Sequence, residues 1–211
     1  MEKARRRPPG RPRMDAGATP VAETIMRTAT RLFMEFGYEG VSVEQVAELC
    51  GVTKATVYYH YDNKASLFTK SVIDLMNRIR QHTVHVLSES TSLRDKLTRV
   101  AELRLSVPYA VHDFDGLMGE ATGVLTAAQL ESMKEAEQQI VQVIANEFER
   151  AVATGEIEEI RPEIAAHMYL ALLMVGKARS SNGDRLFASP REAAEELVAT
   201  FWEGIVSKQR S

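Results

Sequence analysis

The chain has 211 residues, enough for one or two domains and a sizeable core. Apolar residues make up 45% and charged residues 26%, and no apolar run approaches the roughly 18 residues of a membrane helix. These values exclude a fibrous or low-complexity chain and point to a globular protein. No apolar stretch follows the basic start, so no export signal is expected and the cytoplasm is the expected compartment. The single cysteine, Cys50, excludes an internal disulfide and reads as a buried thiol.

The net charge of −3 hides an asymmetry. Residues 1–80 carry 13 basic and 9 acidic side chains, a balance of +4, whereas residues 81–211 carry 13 and 20, a balance of −7. Six of the first 13 residues are Lys or Arg. A basic front on an acidic body suits a polyanion partner that meets the front alone.

Residues 1–20 hold four prolines and no apolar period, and read as a disordered basic arm. Ile25, Ala29, Leu32, Phe33 and Phe36 then recur at helical spacing, with Gly37 as the stop. Ser42-Val43-Glu44-Gln45 is a capping box, and it opens a short helix with Val43, Val46, Ala47 and Cys50 on one face. Gly51 ends that helix. Thr53 caps a third, which runs through Tyr61. A long helix follows from Lys64 into the mid-80s. Further helices are predicted over 92–110, 114–122, 126–154, 162–181 and 190–208, the last announced by Ser189-Pro190-Arg191-Glu192. The expected fold is therefore all-α, with no strand alternation and no repeat.

Residues 42–61 carry the chemistry. Two short helices joined by Cys50-Gly51-Val52-Thr53 form a helix-turn-helix pattern, which sets its second helix in the DNA major groove. On that helix Ala55, Val57 and Tyr61 are expected to face the core. Thr53, Thr56, Tyr59 and His60 fall on the other side, and they offer donors, acceptors and a methyl group to base edges. Lys54 and Tyr58 flank this face and suit phosphates. A bundle face that merely meets water is the alternative. Three tyrosines and a histidine in succession argue against it.

Phe33, Phe36-Gly37-Tyr38, Val46-Ala47, the run Gly51 to Tyr61 and Lys64 resemble the DNA-binding signature of the TetR family of bacterial transcriptional regulators. The resemblance covers roughly residues 21–68. One departure is Ala65-Ser66, where the family commonly places an acidic residue. The resemblance implies a helix-turn-helix domain over 21–68 and a helical effector-binding and dimerisation domain over 69–211. It implies that Ser42, Tyr58 and Lys64 hold phosphates, while Thr53, Lys54, Thr56, Tyr59 and His60 approach the bases. In the arm, Pro9-Gly10-Arg11-Pro12-Arg13 is similar to an AT-hook core, which makes Arg11 and Arg13 candidates for the minor groove.

The 162–181 segment is apolar nearly all round and needs cover on two sides. The resemblance implies that it pairs with the last helix and their symmetry mates in a homodimer. The expected interface residues are Ala166, Tyr169, Leu170, Leu173, Ala194, Leu197, Val198, Phe201, Trp202 and Ile205. Such a dimer would meet a palindromic operator on double-stranded DNA. The resemblance also implies a pocket for a small apolar or amphipathic effector. Leu75, Ile79, Leu103, Tyr109, Phe114, Met118, Phe148 and Met174 are its candidate lining, although the sequence alone favours ordinary core filling for each. Arg104, His112 and Glu120 are candidate polar anchors. His82 and His85 have chelating spacing but no third ligand, so no metal and no cofactor are expected. With no nucleophile motif and no phosphate loop, an enzyme is not expected. A repressor released by its effector is the leading reading. An activator or a nonspecific DNA-architectural protein is the alternative.

Overall fold

The computed structural model describes residues 20–106 and 114–206. Helix α1 (Val21–Phe36) buries Ile25, Ala29, Leu32 and Phe33 of the apolar period, while Phe36 at its end is exposed. Gly37 ends it at φ 71°, a left-handed conformation that glycine adopts without strain. Helix α2 (Val43–Leu49) starts at the predicted capping box, where Ser42 Oγ accepts from Gln45 N at 3.2 Å and Gln45 Oε1 accepts from Ser42 N at 2.8 Å. Helix α3 (Lys54–His60) is capped by Thr53. Helix α4 (Lys64–Leu87) is capped by Asn63, whose Oδ1 accepts from Ser66 N at 2.8 Å. This cap stands in for the acidic residue absent at Ala65-Ser66. At 24 residues, α4 is about 36 Å long and runs from the front of the molecule to its rear.

The rear is built from α5 (Leu93–Ser106), α6 (Phe114–Ala121), α7 (Ala127–Ala153), α8 (Pro162–Val175) and α9 (Pro190–Phe201), with a π turn over Trp202–Val206. Helix α1 packs on α4, α4 on α7, α7 on α8, and α5 on α9. The predicted boundaries shift most at two places. Helix α8 ends at Val175 rather than 181, because the chain there turns into a loop. Gly183, at φ 86°, follows Asn182 in that loop, and an isolated bridge joins Arg179 to Arg185. The Asn-Gly pair is turn chemistry that the apolar run ahead of it masked. The last α-helix stops at Phe201 and passes into the π turn that reaches Val206, and the predicted end at 208 lies outside the described residues.

One continuous apolar cluster runs from Ile25 at the front to Phe201 at the rear. At the front, Phe33, Tyr38 and Phe68 pack ring against ring with centroids 5.0–6.3 Å apart. At the rear, Phe201 lies 5.9 Å from both Phe148 and Tyr169, and the Tyr169 hydroxyl donates to Leu97 O at 2.7 Å. Among the described residues, no helix is long and apolar enough to cross a membrane.

Candidate nucleic-acid interface

The corner between α2 and α3 follows from Gly51 and Val52. Gly51 takes φ 65°, Gly51 N donates to Glu48 O at 3.0 Å, and Val52 N donates to Ala47 O at 3.0 Å. These bonds satisfy the end of α2 and aim the chain into α3. Val57 and Tyr61 anchor α3 in the core, and the Tyr61 hydroxyl donates to Ala22 O on α1 at 2.9 Å. Thr53 Oγ1 accepts from Thr56 N at 3.1 Å and lies 2.9 Å from Thr56 Oγ1.

The opposite side of α3 faces outward. Tyr59 is 85% exposed, and its ring meets His60 edge to face at 5.2 Å. Thr53 is exposed, with Thr56 and His60 half-buried beside it. Ala55 is a correction. It is exposed rather than part of the core, because it sits four residues before Tyr59 and shares its outward direction. Cys50 is half-buried rather than buried, its thiol directed at Thr24 O at 3.7 Å.

The flanking cations are engaged within the chain. Lys54 pairs with Glu44 on α2, and its Nζ lies 5.6 Å from the Tyr58 ring centroid. The hydrogen bond between them raises the Lys54 pKa and lowers that of Glu44. Lys64 Nζ stands 4.2 Å from the Tyr38 ring centroid, a cation–π contact at the N-terminus of α4. Phosphate binding by either lysine therefore competes with a partner already in place. The sequence reading missed Glu44 and Tyr38 in these roles, since neither pairing is a helix i,i+4 relation. Arg11 and Arg13 lie outside the described residues.

The effector candidates separate into groups. Leu75 and Ile79 of α4 and Leu103 and Arg104 of α5 line one cleft of about 60 Å³, together with His82, Thr83 and Val100. Met118 and Phe148 are buried but do not line it. Met174 is a correction: it is exposed on α8, away from the cleft. Tyr109 and His112, and the side chains of Phe114 and Glu120, lie outside the described residues. A wider cleft of about 370 Å³, lined by Leu105, Lys177, Arg185 and Phe187 among others, involves none of the predicted pocket residues.

The predicted dimer contacts need the largest correction. Ala166, Tyr169, Leu173, Ala194, Leu197, Val198 and Phe201 are all buried within the single chain, so a partner cannot touch them without repacking the core. Leu170 and Trp202 are half-buried, and the Ile205 side chain lies outside the described residues. An all-round apolar helix gives no direction, and the inward stripe was read as the outward one. The apolar residues that α8 leaves exposed are Ile164, Met168, Ala171, Met174 and Val175. The outward side of α9 is instead polar, with Arg191, Glu195, Glu196 and Thr200. No group of three or more potential metal ligands occurs among the described residues.

Residues 25–70 match the family model described as bacterial regulatory proteins, tetR family. Over 152 residues the chain is 26% identical to an HTH-type transcriptional regulator of Bacillus subtilis, YhgD, a span that covers 70% of this chain and 78% of that one. Over 55 residues it is 38% identical to the biofilm operon negative transcriptional regulator IcaR of Staphylococcus epidermidis. That match covers 26% of this chain and only 30% of IcaR. The fold is similar to that of FadR from Bacillus subtilis, solved in complex with stearoyl-CoA. The TM-score is 0.67 at 16% identity, over 87% of this chain and 98% of that one.

Proposed function

Since the chain belongs to the TetR family of bacterial transcriptional regulators, a family of DNA-binding regulators rather than enzymes, we propose that it is a repressor that leaves a palindromic operator when a small apolar or amphipathic effector binds. The observation that carries this reading is Tyr59, 85% exposed in the last turn of α3 on a scaffold anchored by Val57 and Tyr61. A large aromatic left in water gains from being covered when the helix docks. It fits a helix that presents its outward face to a groove. On this reading Thr53, Ala55, Thr56, Tyr59 and His60 face base edges. Ser42, Lys54, Tyr58 and Lys64 take phosphates, with the two lysines released from Glu44 and Tyr38 as they do so.

Repression is favoured by the negative regulation attributed to IcaR, and effector control by the ligand in the FadR complex. The residues over 21–68 act as the DNA-binding unit and those over 69–211 as the effector and dimerisation unit. Two copies join through the exposed stripe Ile164, Met168, Ala171 and Val175 of α8, since 46% exposure is costly for a methionine in the centre of such a stripe. Helix α4 belongs to both units. An effector that prefers a conformation with displaced α3 helices lowers operator affinity by no more than its differential affinity for the two states.

Selection of bound DNA from a random pool tests the reading. The expected product is an inverted repeat with half-sites about one helical turn apart. A single asymmetric site would remove the dimer from the account. A pool with no enriched sequence would leave a nonspecific architectural protein.

A further inference from the structure

Arg104 occupies an unusual position on α5. Its Nε and Nη1 are shut off from water and have no hydrogen-bond partner. Arg104 as a whole is half-buried, but a guanidinium cannot readily shed its charge, so two shut-off nitrogens without partners are unfavourable. Burial pushes its pKa down, and the nearby Tyr169 and Glu137 act in the opposite direction. Such a group is retained either to support the fold or to meet something that binds.

The cleft around it favours the second role. Leu75, Ile79, Val100 and Leu103 supply apolar walls. The Thr83 hydroxyl is spent on Ile79 O at 2.8 Å, and His82 is exposed at the rim. Among the described residues no carboxylate lines the cleft, although Glu137 is near enough to act on the Arg104 charge. An apolar slot with one buried cation at its side is the complement of a molecule with an apolar tail and a single negative charge.

We infer that the cleft between α4 and α5 takes an aliphatic monocarboxylate, with its head on Arg104 and its tail along Leu75, Ile79, Val100 and Leu103. This rests on the effector reading above and adds the charge of the ligand to it. The planar fork of a guanidinium matches the two oxygens of a carboxylate. A phosphate would bring a second charge, for which the described lining offers no second buried cation. The present volume of about 60 Å³ has room for a head group and little more. A longer tail must part α4 from α5, and α4 is the helix that begins at Lys64 beside the DNA-binding surface.

The test uses the full-length protein, with octanoate, octylammonium and octanol as probes of one tail length. Thermal denaturation is followed for the wild type, Arg104→Met and Arg104→Lys. Octanoate is expected to raise the wild-type Tm in a concentration-dependent way, octylammonium to leave it unchanged, and octanol to act weakly. Arg104→Met should abolish the octanoate shift, and Arg104→Lys should retain part of it. Without ligand, Arg104→Met should melt at or above the wild-type temperature, because it removes an unsatisfied buried charge. Three outcomes overturn the assignment: equal shifts with all three probes, no shift with octanoate, or a ligand-free Arg104→Met protein that melts well below the wild type. Operator binding in the same titrations keeps the two readings apart. Octanol that releases DNA as well as octanoate does would spare the effector reading and sink the carboxylate. Octanoate that stabilises through Arg104 without releasing DNA would do the reverse.

Discussion

The front and the rear of this molecule treat buried charge in opposite ways. Around α1 to α3 the core is aromatic and aliphatic, built on Phe33, Tyr38, Phe68, Val46 and Val57, and every ion pair there is exposed. The candidate DNA-reading side chains Thr53 and Tyr59 stand outside it. In the rear, Lys96 on α5 pairs with Glu147 on α7 at 2.8 Å, with their side chains only 7% and 10% exposed, and Arg104 lies inside with two nitrogens unsatisfied. An apolar core holds a rigid presenting surface at little cost in specificity. Polar groups inside a core cost stability and are kept where they fix a packing arrangement or meet a ligand. The front is therefore a platform whose work is external, and the rear a body whose work is internal.

That contrast can be broken most forcefully at the front. Phe33 is buried and touches both Tyr38 and Phe68, so Phe33→Ala should cost about 3–5 kcal/mol in chemical denaturation. DNA binding should fall only in proportion to the unfolded fraction. A variant that keeps full stability would show that the front core is loosely packed.

In the rear, Glu147→Ala should cost about 3 kcal/mol, because it leaves Lys96 buried without its partner. Replacing both residues with apolar ones of similar size should cost much less. The pair also sets a pH response. Burial alone would raise the Glu147 carboxyl, but hydrogen bonds from Arg150 and Lys96 outweigh it and hold the pKa below its ordinary 4.5. With the folded value lower than the unfolded one, this contribution is complete above about 4.5 and is lost as the pH falls through the folded value. Thermal melts on acidification should show the loss in the wild type, and Glu147→Gln should blunt it.

A smaller effect sharpens the account of the surface. Glu44 occupies Lys54 and adds a negative charge beside α3. Glu44→Gln should raise affinity for random DNA a few-fold at low salt. It should also steepen the dependence of log affinity on log salt by up to about one phosphate contact. No change in either would mean that Lys54 stays clear of the DNA.

The same contrast governs what could be read from the residues alone. Gly37, the Ser42–Gln45 capping box, Gly51 and Thr53 are local signals. Each fixed a boundary within a turn or two, so the helix-turn-helix and its outward Tyr59 were legible. Ala55 was misplaced because a small residue carries no directional preference of its own. The rear depends on partners far apart in the chain, and the Lys96–Glu147 pair spans 51 positions. The all-round apolar α8 gave no clue to which stripe faces in, so residues buried within the chain stood among the expected dimer contacts. Arg104 was recognisable as a candidate anchor, but its isolation from water and from partners depends on how α4 and α5 meet.

The central claim is that the outward face of α3 reads sequence, and Tyr59→Ala tests it most directly. Binding of this variant should be measured on the selected operator and on random DNA at one salt concentration, beside a melting curve. Exposure of Tyr59 predicts an unchanged Tm. A base-reading role predicts operator affinity lower by about tenfold or more with little change on random DNA. Equal losses on the two DNAs would contradict the claim and reduce Tyr59 to a phosphate contact.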